Sequence, residues 1–103
     1  MTSRIRAVRR LVGRRFRVSV RTLRSRSRAE PVVSYRLLGM ALALECGATL
    51  TEAARLFGRR QHSTALHARR TVMARLANER ATREHWLALM AQLCGNGGRS
   101  SGR

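Results

Sequence analysis

Between Thr49 and Leu76 the chain reads TLTEAARLFGRRQHSTALHARRTVMARL, and this stretch limits the possible folds more than any other. Thr49-Leu50-Thr51-Glu52 has the spacing of a capping box, in which the hydroxyl and the carboxylate each meet the other residue's backbone N–H. A helix is therefore predicted to start there, with Leu50, Ala53, Ala54, Leu56 and Phe57 turned to a core. It is short and ends at Gly58, a residue free to take the positive φ of a tight turn. Arg59, Arg60 and Gln61 form the turn. A second helix is predicted from about His62 to Asn78. At 100° per residue, Ala65, Leu66, Ala68, Val72, Met73, Leu76 and Ala77 share one broad apolar face. Ser63, Thr64, His67, Arg70 and Thr71 share the other. Arg69 projects into the apolar arc and is expected to snorkel to its edge. Two helices joined by a basic turn, the second opening on polar residues, have the layout of a helix-turn-helix. A plain helical hairpin has the same pattern.

Charge narrows the partners. The chain of 103 residues carries 22 basic side chains against five acidic ones, a formal net charge of +17. All the basic residues are Arg and all the acidic ones Glu. Such a surplus repels itself when compact and attracts polyanions. Nucleic acid is the first expectation, and an anionic membrane the alternative. The guanidinium fork can grip a phosphate or a guanine edge with two parallel hydrogen bonds. A genome rich in G and C would also explain the absence of Lys. The longest apolar run, Leu37–Leu44, falls far short of the ~18 residues of a membrane span. Cys46 and Cys94 lie far apart, and with three scattered His they do not match a structural zinc pattern. No cofactor or metal is expected. An enzyme is not expected either: there is no paired carboxylate, metal cluster, or nucleophile with a base.

The flanks read less sharply. Residues 1–30 hold 11 of the 22 Arg and one acid, Glu30. Ile5, Val8, Leu11 and Val12 recur at helical spacing, which predicts a short basic amphipathic helix. Phe16, Val18 and Val20 alternate, as in a brief strand or extended chain. Arg24, Ser25, Arg26, Ser27 and Arg28 form a basic, polar run. Residues 14–30 are expected to be mobile without a ligand, and 1–30 to form an arm outside the domain. A solvated tail and an organelle transit peptide share this composition. Pro31 suits the first turn of a mostly buried helix, about Val32–Cys46, closed by Gly47 as a left-handed cap. A last amphipathic helix, about Ala81–Cys94, carries Trp86, Leu87, Leu89, Met90 and Leu93. The Gly- and Ser-rich end, 95–103, is expected to fray. The fold class is all-α, one small helical domain over 31–94 between a basic, partly disordered arm and a flexible tail.

The start of the second helix of the motif holds the candidate chemistry. In a helix-turn-helix this helix enters the major groove and its first residues meet base edges. Gln61 has the two-pronged geometry that fits adenine N6 and N7. His62, Ser63, Thr64 and His67 add donors and acceptors, and the Thr64 methyl can pack on thymine. Arg59, Arg60 and Arg70 are placed for phosphates, which add affinity but no sequence information. Either His is equally at home as an ordinary surface or capping residue. Their i, i+5 spacing argues against a shared metal.

These residues resemble a family. FGRRQHSTALHARRTV is similar to the C-terminal DNA-binding domain of the bacterial replication initiator DnaA, whose signature is close to F-G-G-R-D-H-[ST]-T-V-[LI]-H-A. Phe57, Gly58, Arg60, His62, Ser63, Thr64, Leu66, His67 and Ala68 match in register. MALAL (Met40–Leu44) and TLTEAARLFG resemble the helices before it, so the likeness spans about residues 24–78. It implies a Trp-repressor-like helical domain that binds short asymmetric duplex sites as a monomer unit. It also implies that an Arg in a basic loop reads the adjacent minor groove, for which Arg24 and Arg26 are the candidates. Some positions depart from the family. Gln61 replaces its acidic residue, so an acceptor for cytosine N4 becomes an amide suited to adenine. Arg59 replaces the second Gly and adds a phosphate partner, and Leu44 replaces a commonly basic position. Arg69 stands where the family prefers a small residue. No G-x-x-x-x-G-K-[ST] occurs and there is no Lys, so no ATP site is expected.

The expectation is a free-standing, sequence-specific duplex DNA-binding protein of the bacterial cytoplasm and nucleoid, acting in replication or transcription. A non-specific nucleic-acid packager of nucleoid or ribosomal type is the alternative. A membrane-active basic peptide fused to a helical domain is the third.

Overall fold

A computed structural model describes residues 1–99, with side chains through Cys94. All of its regular structure is helical: α1 Ser3–Phe16, α2 Val20–Arg24, α3 Val32–Glu45, α4 Leu50–Leu56, α5 His62–Asn78 and α6 Arg80–Arg99. The central helix is α3. Eight consecutive residues, Arg36 to Ala43, are buried on every side, and α1, α2, α4, α5 and α6 all pack on it. A helix apolar all round belongs inside a core.

The ends of these helices follow from local chemistry. Both halves of the capping box are made: Glu52 N donates to Thr49 Oγ1 at 3.0 Å, and Thr49 N to Glu52 Oε1 at 3.0 Å. The backbone N–H of Thr49 holds the Glu52 carboxyl below the usual carboxylate range. α3 and α4 close in the same way. Gly47 at φ 99° and Gly58 at φ 76° take the left-handed conformation. Ala48 N then reaches Ala43 O at 3.0 Å, and Arg59 N reaches Ala54 O at 2.8 Å. These are the 6→1 bonds of a Schellman ending, which satisfy carbonyls the helix leaves open. Between them, the Phe57 ring lies fully buried against the bare Cα of Gly39, where a Cβ would overlap it.

The first 30 residues are not an arm outside the core. Ile5, Val8, Leu11, Val12 and Leu23 are buried in the same cluster as Leu42, Phe57 and Val72. The apolar stripe of α1 is wide enough to be retained by the core, whatever the charge of its other face. The alternation from Phe16 to Val20 forms no strand, since Phe16 ends α1 and Val20 to Arg24 are helical. Ser19 starts that helix, its hydroxyl accepting from Thr22 N at 3.1 Å, and this local cap overrides the short alternation. Arg17, at φ 56°, makes the corner between α1 and α2. The end of α1 is tied to its neighbours by aromatic contacts. Phe16 stacks on Tyr35 at 4.0 Å and meets His85 edge-on at 4.7 Å, while Arg15 Nε donates to His85 Nδ1 at 2.8 Å.

Two further expectations change at the far end. Met73 and Ala77, assigned to the apolar face of α5, are exposed, and so is Arg69, which therefore has no apolar surroundings to escape. Only Ala65, Ala68 and Val72 of α5 are fully buried. The backbone of α6 continues to Arg99, so of the tail expected from 95 onward residues 100–103 lie outside the described residues. Among the described residues no helix is long and apolar enough to cross a membrane.

Candidate nucleic-acid interface

The small side chains of Ala65 and Ala68 let α5 lie close to α3 and α4, and this leaves its leading edge outward. Gln61, His62, Ser63 and His67 are exposed and Thr64 is half-buried. Gln61 stands at the N-cap position, yet its side chain makes no capping bond. The amide is therefore not consumed by its own helix. His67 Nε2 lies 3.5 Å from Thr71 Oγ1, at the limit of a hydrogen bond. Neither imidazole is drawn into the interior. Arg60 and Arg70 are exposed, in the turn and one helical turn beyond His67.

Arg59, expected to meet a phosphate, also makes a bond within the protein. It is half-buried, and its Nη2 donates to Ser25 O at 3.0 Å. The turn of the motif is thus bonded to the segment that follows α2. That segment is ordered by a residue outside the sequence-level site, Arg36. The residue is 4% exposed, and among the described residues it has no ion pair with a carboxylate. Backbone carbonyls take its place: Nε donates to Leu23 O at 2.7 Å, Nη1 to Ser27 O at 3.0 Å and Nη2 to Ser25 O at 3.1 Å. Burial, and then the nearby Arg59, push the Arg36 pKa down. A buried guanidinium holds here because its donors are met one by one by oxygen.

Held this way, the run from Arg24 to Arg28 has a periodicity its sequence did not advertise. Ser25 and Ser27 are half-buried and bonded to the backbone, whereas Arg24, Arg26 and Arg28 are exposed. Arg28 joins Arg36, Arg59, Thr64 and His67 around a hollow of about 530 Å³. The basic segment and the start of α5 therefore open on one surface. Burial, and then Arg28 and Arg26, lower the Arg59 pKa, the sign of positive groups crowded without a counter-charge. Among the described residues the two ion pairs, Met1 with Glu52 and Arg80 with Glu84, involve none of these arginines. Arg24 sits apart from the hollow, its backbone packed on Gly58, where a Cβ would lie 2.6 Å from Arg24 O.

Sequence reasoning missed Arg28 and Arg36. The signal for Arg36 was present: it is the one charge inside VVSYRLLGMALAL. For Arg28 there was none, because which Arg of an RSRSR run faces the recognition edge depends on how the run is anchored.

A basic turn, an outward polar edge on the second helix and a first helix crossing behind it define a helix-turn-helix protein of the nucleic-acid-binding class. Residues 5–72 match the family described as the bacterial dnaA protein helix-turn-helix, and the chain belongs to that family. The match begins in α1, so it reaches further upstream than the residues that carry the resemblance by eye, and it treats α1 and α2 as part of the domain. The family is one of double-stranded DNA binding rather than catalysis.

Proposed function

We propose that this chain is a sequence-specific duplex DNA-binding protein of the bacterial nucleoid that regulates replication or transcription. In this reading Gln61, His62, Ser63, Thr64 and His67 meet base edges in the major groove. Arg60 and Arg70 hold flanking phosphates, while Arg59 braces the basic segment and completes the phosphate surface beside it. Arg26 and Arg28, with Arg24 behind them, reach the adjacent minor groove. The observation that carries it is the shared opening of Arg28, Arg59, Thr64 and His67 on one unneutralised surface. A packager needs charge alone, whereas a reader needs uncommitted polar groups beside that charge, and Gln61 and His62 are exposed there.

Selection of bound sequences from a random duplex pool tests this directly. A reader retains a preference of about 10³ or more over random duplex. Gln61→Ala and His62→Ala should each weaken the selected site by about 1–3 kcal/mol, with random-duplex affinity nearly unchanged. Equal losses on both DNAs would mean these residues do not read bases.

A further inference from the structure

A second basic concavity lies between α1 and α4. It is a cleft of about 510 Å³ lined by Arg6, Arg9 and Arg10 of α1, by Arg55 and Leu56 of α4, and by Val20. Four guanidinium groups thus line one opening, with no carboxylate among the lining residues. Arg9 forms its floor: Nη1 donates to Leu56 O at 2.9 Å, one of the carbonyls at the end of α4. Arg6, Arg10 and Arg55 are exposed, and none of them is in an ion pair among the described residues. Burial, and then Arg24, lower the Arg9 pKa, so the cleft and the basic segment lie within each other's field. Arg24 packs in turn on Gly58, in the turn of the motif. Arg24 therefore stands between the turn of the motif and this cleft. A concave site of one sign focuses the field and concentrates an anion.

We infer that the α1–α4 cleft is a second phosphate-binding site, taking the backbone of the same duplex beyond the segment that α5 reads. This rests on the DNA-binding reading above. The direction of the duplex follows from the motif. When the second helix lies in the groove, the first crosses the backbone. Arg55 is in the last turn of that first helix, beside the turn. The Arg fork suits a phosphodiester, which offers two oxygens to parallel N–H donors. A membrane surface fits less well, because interfacial binding needs a broad apolar face. Around this cleft only Met1 and Val20 are exposed large apolar residues.

The test uses the full chain, a duplex selected from the random pool, and two lengths of it: the minimal site, and the same site extended by about 10 bp at each end, one helical turn. Arg6→Gln/Arg10→Gln/Arg55→Gln empties the cleft of its free cations but keeps Arg9, which holds Leu56. Removing surplus positive charge should leave the melting temperature unchanged or raise it. On the extended duplex the slope of log K against log salt should fall by about 2 to 3, at roughly 0.9 per phosphate contact. On the minimal site it should not change, and hydroxyl-radical protection should shrink on one flank only. Arg80→Gln/Arg83→Gln, at the start of α6, should leave the footprint intact. An equal slope change on both lengths with an unaltered footprint would overturn the inference, since general charge would then suffice. So would no slope change at all. Loss of binding only to vesicles of phosphatidylglycerol and phosphatidylcholine in equal parts would make the cleft a lipid site. If the pool yields no preferred sequence, the base-reading proposal fails on its own. The cleft then stands only if the triple variant lowers the slope by the same amount on random duplex.

Discussion

The turn between α4 and α5 and the segment between α2 and α3 lie side by side, and both are rich in Arg. They are held by different physics. The turn is locally determined: Gly58 takes a positive φ, and its bonds return to Ala54 and Arg55, within five residues. The segment after α2 has small ties of its own, such as Ser25 Oγ to Thr22 O at 2.6 Å. Its position relative to α5, however, depends on two guanidinium groups from elsewhere, Arg36 and Arg59. The proposed DNA-binding surface thus joins one half that forms from nearby residues to another that forms only when the core closes.

Removing the larger tether should break this comparison most visibly. Arg36→Met leaves the carbonyls of Leu23 and Ser27 without their donor, while Ser25 O keeps its bond from Arg59, and we expect a loss of about 3 kcal/mol. That corresponds to a melting temperature lower by more than about 10 °C, read by circular dichroism. Hydrogen exchange should quicken at residues 25–28 while the amides of Gly58 and Arg59 keep their protection. Equal exposure of both stretches would show that they fold as one unit.

Gly58→Ala attacks the point where the two stretches touch. The substitution strains the positive φ and drives a Cβ to within 2.6 Å of Arg24 O. A destabilisation of about 2 kcal/mol is expected in urea melts, from the left-handed conformation together with overpacking. A neutral result would mean that the α2–α3 segment gives way freely there. The smallest effect is expected from Arg59→Gln. Ser25 O keeps its bond from Arg36, so stability should fall by about 1 kcal/mol or less. Binding to the selected duplex should nevertheless weaken, because the brace between turn and segment is gone. Unchanged binding would assign the placement of the segment to Arg36 alone.

How far the sequence could be read tracks the same division. The capping box and the two glycine closures rest on bonds spanning a few residues, and those are legible as letters at fixed spacing. α1 was legible as a helix but not as core, because periodicity shows a stripe and not what covers it. The alternation from Phe16 to Val20 misled, although the Ser19-to-Thr22 cap was there to be read. The exposed face of Met73 and Ala77 was misassigned for a related reason: α6 covers less of α5 than its apolar arc could fill.

By itself, then, the sequence determined the all-helical class, the helix-turn-helix with its polar leading edge, and the family, since each is written in local spacing. Tertiary structure alone decided that the apolar stripe of α1 and Leu23 belong to the core, that Arg36 is buried among carbonyls, and that Arg28 rather than Arg24 shares a hollow with Thr64 and His67. The physical reason is that a guanidinium carries the same charge wherever it sits. Whether it faces phosphate or anchors a backbone is set by which oxygens the closed chain brings within about 3 Å of it.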